Sequence, residues 1–404
     1  MDTMSLDLHQ VRKDAYALYD QLIAWRRDLH KHPELGFEER RTATIIAEHL
    51  TSLGLHVQTG VARTGVVALL EGSQEGPTLL LRFDMDALPV EEENDVPYRS
   101  EYPGRMHACG HDGHVAIGLA TATLLVRYRE HLRGRVKFVF QPAEEGMGGA
   151  LRMIQEGVLE NPKPDWAFGL HLWNPIPVGK VVVQSGPLMA AAGRFDIDVV
   201  GRGGHGAQPH LTVDALVTAA HIVTGLQTIV SRNVDPLESL VLTVGELHSG
   251  SAFNIIPGQA TLRGTMRTFN MNTMHMAQAR LRSLAEGVAQ AYGARADVRT
   301  EVIAPPVIND EQATRVVRRA AEAIVGPENI VTIKPVMVSE DMAEFLTRVP
   351  GCFFLVGARN EEKGIVYGHH HPRFDIDEDA LPIGAALMTA TALLAGQNGG
   401  ERKE

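Results

Sequence analysis

Between residues 191 and 303 the rhythm of the sequence changes. Residues 195–200 alternate apolar and polar side chains, 213–229 repeat apolar side chains at helical spacing, and 240–246 and 260–268 alternate again. Residues 274–292 return to helical spacing and 296–303 to alternation. The order β-α-β-β-α-β is that of a ferredoxin-like α+β unit. The flanking sequence reads differently. Helical spacing over 9–30 and 38–53 precedes strand-like runs at 66–71, 78–83 and 136–141, with a helix over 114–131 between the last two. After Pro305-Pro306 the same rhythm resumes, with a strand at 352–356 and a helix at 381–395. Strands alternating with helices predict an α/β domain with a mixed, mostly parallel sheet flanked by helices. The reading that satisfies both patterns makes one domain of residues 1–190 and 304–404 and inserts residues 191–303 at a surface loop. The 404-residue length agrees, since a single core stops growing at roughly 250–300 residues.

Composition removes several function classes. A net charge of −11 gives no field that would draw in a nucleic-acid backbone, so no such partner is expected. Residues 1–14 lack the apolar core of a signal peptide. The longest apolar stretch, 380–395, is broken by Pro382 and Gly384 and falls short of the ~20 residues that span a bilayer. With only Cys109 and Cys352, a disulfide framework is excluded and a reducing compartment expected, hence a cytoplasmic location.

Histidine is abundant, 18 in all, and six of these fall in two clusters. The first is Met106-His107-Ala108-Cys109-Gly110-His111-Asp112-Gly113-His114. Thiolate and imidazole are the preferred protein ligands of zinc-like ions, and Gly110 lets Cys109 and His111 turn toward one point. The same residues also read as a buried free cysteine beside surface histidines, or as a nucleophile with a histidine base. Glu144 and Glu145 follow a strand, where one can bind metal and its neighbour can accept a proton from water; a solvated loop pair is the plainer reading. His171 ends an apolar run and reads equally as a core histidine. His369, His370 and His371 precede Pro372 and offer one ligand. Asp84 and Asp86 close a strand and can orient ligand histidines. The glycine-rich 201–207 loop lacks the Gly-Lys-Ser/Thr of a phosphate loop. Cys352, in an apolar run, reads as core.

Taken in order, these stretches resemble the aminoacylase and carboxypeptidase family of dinuclear metallohydrolases, and within it the hippurate-hydrolase and auxin-conjugate-amidohydrolase branch. The likeness rests on Arg26-Arg27-Asp28-Leu29-His30 with residues 33–39, then 84–89, 107–114, 142–149, 169–171, 201–210, 254–257, 339–341 and 370–386. It covers nearly the whole chain. It implies that Cys109, His111, Glu145, His171 and His370 ligate two divalent ions, zinc first, with manganese, cobalt or nickel compatible. Cys109 would bridge, His111 and His171 serving one ion, Glu145 and His370 the other. Glu144 would be the general base and Asp86 would orient a ligand. His205 would reach the substrate carbonyl from the inserted domain, and Asn254 and Arg267 would hold the substrate. Two departures stand out: Asp84 occupies a position where the wider family has a histidine ligand, and His370 has a histidine on either side.

The resemblance makes residues 1–190 and 304–404 a metal-binding catalytic domain and 191–303 a lid or dimerisation domain, with a homo-oligomer as a possible assembly. The implied activity is metal-dependent hydrolysis of N-acyl amino acids to a carboxylic acid and a free amino acid. A dipeptidase or carboxypeptidase would use the same site. A metal-binding protein without turnover is a third reading, but binding alone does not require a base such as Glu144.

Overall fold

The computed structural model describes residues 7–397; the beginning of the 1–14 reading and residues 398–404 lie outside it. The chain divides into two compact units. The first comprises Met1–Gly186, Ile308–Lys334 and Glu344–Glu404, and the second comprises Pro187–Val307 and Pro335–Ala343.

The first unit is built on eight strands in the order His56–Val61, Gly65–Glu71, Arg133–Gln141, Gln74–Asp84, Trp166–Pro177, Gly351–Arg359, Val181–Val182, Ile330–Val331. The four strands from Arg133–Gln141 to Gly351–Arg359 are mutually parallel. The hairpin of His56–Val61 and Gly65–Glu71 is antiparallel and adds to one side of them. Parallel strands covered on both faces need near-continuous apolar runs, and Leu79–Phe83, Phe138–Phe140 and Cys352–Val356 supply them. Helices Leu8–Tyr16, His111–Arg127, Glu311–Ile324 and Ala380–Gln397 bury their apolar faces in the same core. Ala380–Gln397 is long and apolar enough to cross a membrane, yet it is buried along nearly its whole length within this unit. A helix that is apolar all round fits such a central place.

Several elements differ from the sequence reading. The helix expected over 9–30 is two helices, Leu8–Tyr16 and Tyr19–Lys31, separated by a tight turn in which Leu18 N–H donates to Ala15 O at 3.1 Å. Asp7 caps the first by accepting from His9 N–H. The helix expected over 114–131 begins earlier, at His111, and ends at Arg127. The long strand Trp166–Pro177 and the Asp310-capped helix Glu311–Ile324 were not anticipated as elements.

In the second unit, Ala191–Val200, Leu240–Ser249, Gln259–Thr268 and Arg295–Ala304 form a fully antiparallel sheet. In chain order the strands lie second, third, first, fourth, as the split β-α-β arrangement requires. Helices Ala215–Asn233 and Met271–Ala291 pack on the face made by Phe195, Ile197, Val199, Leu262 and Met266. The unit also takes in Pro335–Ala343, which the sequence reading left with the flanking domain. Val336 N–H donates to Leu188 O at 3.0 Å, and Ala190 N–H donates to Val336 O and Val338 O.

Candidate metal centre

The central parallel strands all run toward one edge of the sheet, where ligands gather in this architecture. Gln74–Asp84 leads into Asp86, Arg133–Gln141 into Glu144 and Glu145, and Trp166–Pro177 carries His171. Gly110 adopts φ +88°, a left-handed turn that starts helix His111–Arg127 and makes His111 its first residue.

Six of the candidate side chains lie together here. The ligand atoms of Cys109, His111 and His171 lie within 4.8 Å of one another, and so do those of Cys109, Glu145 and His370. Cys109 is common to both groups. His111, Glu144 and Glu145 satisfy the same limit. Sγ of Cys109 is 3.5 Å from Nε2 of His171, and Nε2 of His370 is 3.3 Å from Oε1 of Glu145.

Surrounding hydrogen bonds aim these groups. Nδ1 of His171 donates to Leu172 O at 2.7 Å, which turns its Nε2 toward Cys109. Nδ1 of His111 donates to Asp86 O at 2.9 Å, leaving its Nε2 toward the site. The Asp86 carboxylate also accepts from Glu145 N–H at 3.0 Å, so Asp86 contacts the segments of both His111 and Glu145. Asp84 lies in a further compact group with His111 and His114, its carboxylate 3.6 Å from Nε2 of His111. It pairs with Arg82 at 2.6 Å and accepts from His114, whose other ring nitrogen accepts from Leu172 N–H.

The three consecutive histidines separate cleanly. His369 donates to Leu172 O and stacks on Trp173, and His371 stacks on Tyr367. His370 is the one that meets Cys109 and Glu145.

The pocket is suited to cations. Nε2 of His111 and Oε1 of Glu145 are buried and make no well-aligned hydrogen bond, their nearest polar neighbours being other candidate ligands, an arrangement that a bound cation would satisfy. At His111 burial opposes charge, but Asp84 and Cys109 hold the imidazole well above its ordinary range, so the pocket stabilises positive charge there. Burial, with His114 and His369 nearby, keeps His171 well below its ordinary range and therefore neutral, as a ligand imidazole must be. Burial, reinforced by Glu145, pushes the Cys109 thiol up, and a bound cation would reverse this by stabilising the thiolate.

His205, Asn254 and Arg267 belong to the second unit. His205 is exposed in the short strand Gly204–His205, which pairs with Ile255–Ile256, and its Nδ1 accepts from Ala207 N–H. Asn254 is its neighbour, accepting from Gly206 N–H at 2.8 Å through its carbonyl. Arg267 is half-buried in Gln259–Thr268, where Nη1 donates to Met266 O at 3.0 Å and to Thr265 Oγ1. Sequence reasoning gave no role to Arg26, Glu39 or Asn174, although the first two lie within motif segments it quoted.

Residues 80–394 match the model of Peptidase family M20/M25/M40. The chain belongs to this family. Among M20 relatives, it is 40% identical over 380 residues to IAA-amino acid hydrolase ILR1-like 2 of Arabidopsis thaliana, covering 93% of this chain and 85% of that one. It is 38% identical over 392 residues to thermostable carboxypeptidase 1 of Saccharolobus solfataricus, covering 96% and 98%. Among solved M20 structures, it is similar to the Bacillus subtilis YXEP protein, described as a dinuclear metal binding peptidase. That likeness has a TM-score of 0.83 at 34% identity and covers 95% of this chain and 99% of that one.

Proposed function

We propose that this M20 protein is a metal-dependent amidohydrolase that cleaves N-acyl amino acids to a carboxylic acid and a free amino acid. The observation that carries the reading is Cys109, shared by two compact ligand groups with Glu144 beside them. Cys109, His111 and His171 would hold one divalent cation, and Cys109, Glu145 and His370 the other. Zinc is the first choice for this donor set, with manganese, cobalt and nickel compatible. When bound, the cations supply Lewis acidity for the substrate carbonyl and for water.

Glu144 accepts the proton of the attacking water and passes it to the leaving amine. His205 donates a hydrogen bond to the carbonyl oxygen as it gains charge. Asn254 and Arg267 hold the substrate, the guanidinium matching a terminal carboxylate. The second unit acts as a lid and as the surface for homo-oligomer formation, for which its exposed Leu237, Val241, Leu247 and Phe253 are suited. Two free cysteines suit a reducing, cytoplasmic setting.

A second reading, carboxypeptidase or dipeptidase, draws support from the name of the Saccharolobus relative. Hydrolysis of N-acetyl, N-benzoyl and indole-acetyl amino acids, measured beside dipeptides after metal removal and re-addition, separates the two. Rapid release of amino acid from the acyl substrates is expected. Dipeptide cleavage with inert acyl substrates would move the assignment to the second reading, and no hydrolysis with any ion would leave a metal-binding protein.

A further inference from the structure

We infer that Asn174 is a positioning residue for His370, and through it for the cation group of Cys109, Glu145 and His370. The inference rests on the two-cation reading above.

His370 is an unusual ligand candidate because its side chain is 54% exposed. Side-chain packing therefore does little to fix it, and its backbone is in the left-handed region at φ +65°. The position of its imidazole must come from the turn that carries it. That turn is tied down in three places. His370 N–H donates to Ala108 O at 2.7 Å, one residue before Cys109. His369 donates to Leu172 O at 2.9 Å. The two feet of the turn are joined by Asn174, whose Nδ2 donates to Tyr367 O at 3.0 Å and to Asp375 O at 2.6 Å.

Asn174 is suited to this task and few side chains could replace it. It is 3% exposed, so its NH₂ is partnered by protein groups rather than solvent, while its Oδ1 is buried without a partner. Two carbonyls facing one side chain require two donors, and the amide NH₂ supplies both without a charge. An aspartate would set a carboxylate against two carbonyls, and an alanine would leave both unpaired. Asn174 lies three residues beyond His171, so it ties the His370 turn to the strand that carries a ligand of the other group. The Asp375 foot has a second anchor in its carboxylate, held by Arg26 at 2.6 Å and by the Tyr98 hydroxyl at 2.7 Å. Arg26 also grips Asp112, next to His111, at 2.9 Å. Thus loss of Asn174 frees one foot of the His370 turn while Cys109, His111 and His171 keep their own hydrogen bonds.

The test is the metal content and zinc affinity of the full chain and of Asn174→Ala, Asn174→Asp and Asn174→Ser. Bound metal is counted after desalting, and affinity is read by competition with a chromophoric chelator. The wild type should hold two equivalents. Each variant should keep one at wild-type affinity and bind the other about 10–100-fold more weakly, the usual range for losing a group that orients a ligand. Turnover should recover at high zinc with substrate KM unchanged, a pattern that a general loss of structure would not give. Asn174→Ser retains one donor and is the mildest change, so it serves if the other two do not fold. Both equivalents at wild-type affinity in a folded variant, or equal weakening of both, would overturn the inference. A wild type that binds fewer than two equivalents would instead sink the two-cation reading on which it stands.

Discussion

Glu39 accepts the backbone N–H of Ala143 at 2.9 Å, one residue before Glu144, and the hydroxyl of Thr64 at 2.6 Å. Ala143 is left-handed at φ +55°, and its carbonyl accepts from Gly149 N–H at 3.1 Å. The carboxyl group therefore braces the turn that presents Glu144 and Glu145. Burial raises Glu39 from 4.5 to about 7, against the pull of these hydrogen bonds. Between those values the folded chain keeps a proton that the unfolded chain has lost, so stability falls as pH rises through this window. The slope contributed by one such group approaches ~1.4 kcal/mol per pH unit. Glu39→Gln should flatten the decline of the urea midpoint between pH 4.5 and 7. An unchanged slope would mean that Glu39 does not titrate there.

The neighbouring carboxylates Glu144 and Glu145 should separate by function. Glu144→Gln is expected to keep its bound metal and to lose about 10²–10⁴ in turnover, the usual contribution of a general base. Glu145→Gln should lose metal as well, because Glu145 lies in the group with Cys109 and His370. Metal analysis beside single-turnover kinetics checks both, and wild-type turnover in Glu144→Gln would reassign the base.

Cys109 should behave as a ligand and not as a nucleophile. Chelation is expected to abolish hydrolysis and added zinc to restore it, and Cys109→Ser should lower metal content, because an alcohol gives up its proton far less readily than a thiol. Mass spectrometry of the reacting enzyme supplies the opposing outcome: an acyl group trapped on Cys109, with activity that survives chelators.

His205→Ala should lower turnover by about 10²–10³, the cost of removing one donor to a developing oxyanion. His205 is exposed and its ring contact is local, to Ala207 N–H, so metal content and thermal midpoint should stay close to wild type. Turnover at saturating substrate is the measurement, and an unchanged value removes His205 from the chemistry.

Much of the candidate site could be read in the chain because its donors are chemically conspicuous and locally grouped. Cys109 and His111 are two residues apart at the start of a helix, and Glu144 and Glu145 are adjacent just beyond a strand end. His370 could be chosen from three histidines only through the resemblance, and its neighbours' stacking on Trp173 and Tyr367 supplies the physical distinction. Asn174 could not be found this way. Its partners, Tyr367 O and Asp375 O, are about two hundred positions away in the chain and are backbone atoms, which leave no residue-type signature. The break between Tyr16 and Tyr19 was equally hidden, since no proline or glycine marks it and apolar spacing continues across it. Trp166–Pro177 is buried on both faces, so it lacks the alternation that announces a half-exposed strand.

The passage of Pro335–Ala343 into the second unit means that the chain changes units at four points: after Gly186, after Val307, after Lys334 and after Ala343. The second unit is therefore not a cassette bounded by a single entrance and exit. Grafting residues 187–307 onto another scaffold would leave behind the peptide that pairs with Leu188 and Ala190. The transplanted piece would carry bare backbone donors and acceptors along that margin, the kind of open edge that recruits foreign strands. Moving this unit intact therefore takes two separate segments of the chain, 187–307 and 335–343, rather than one.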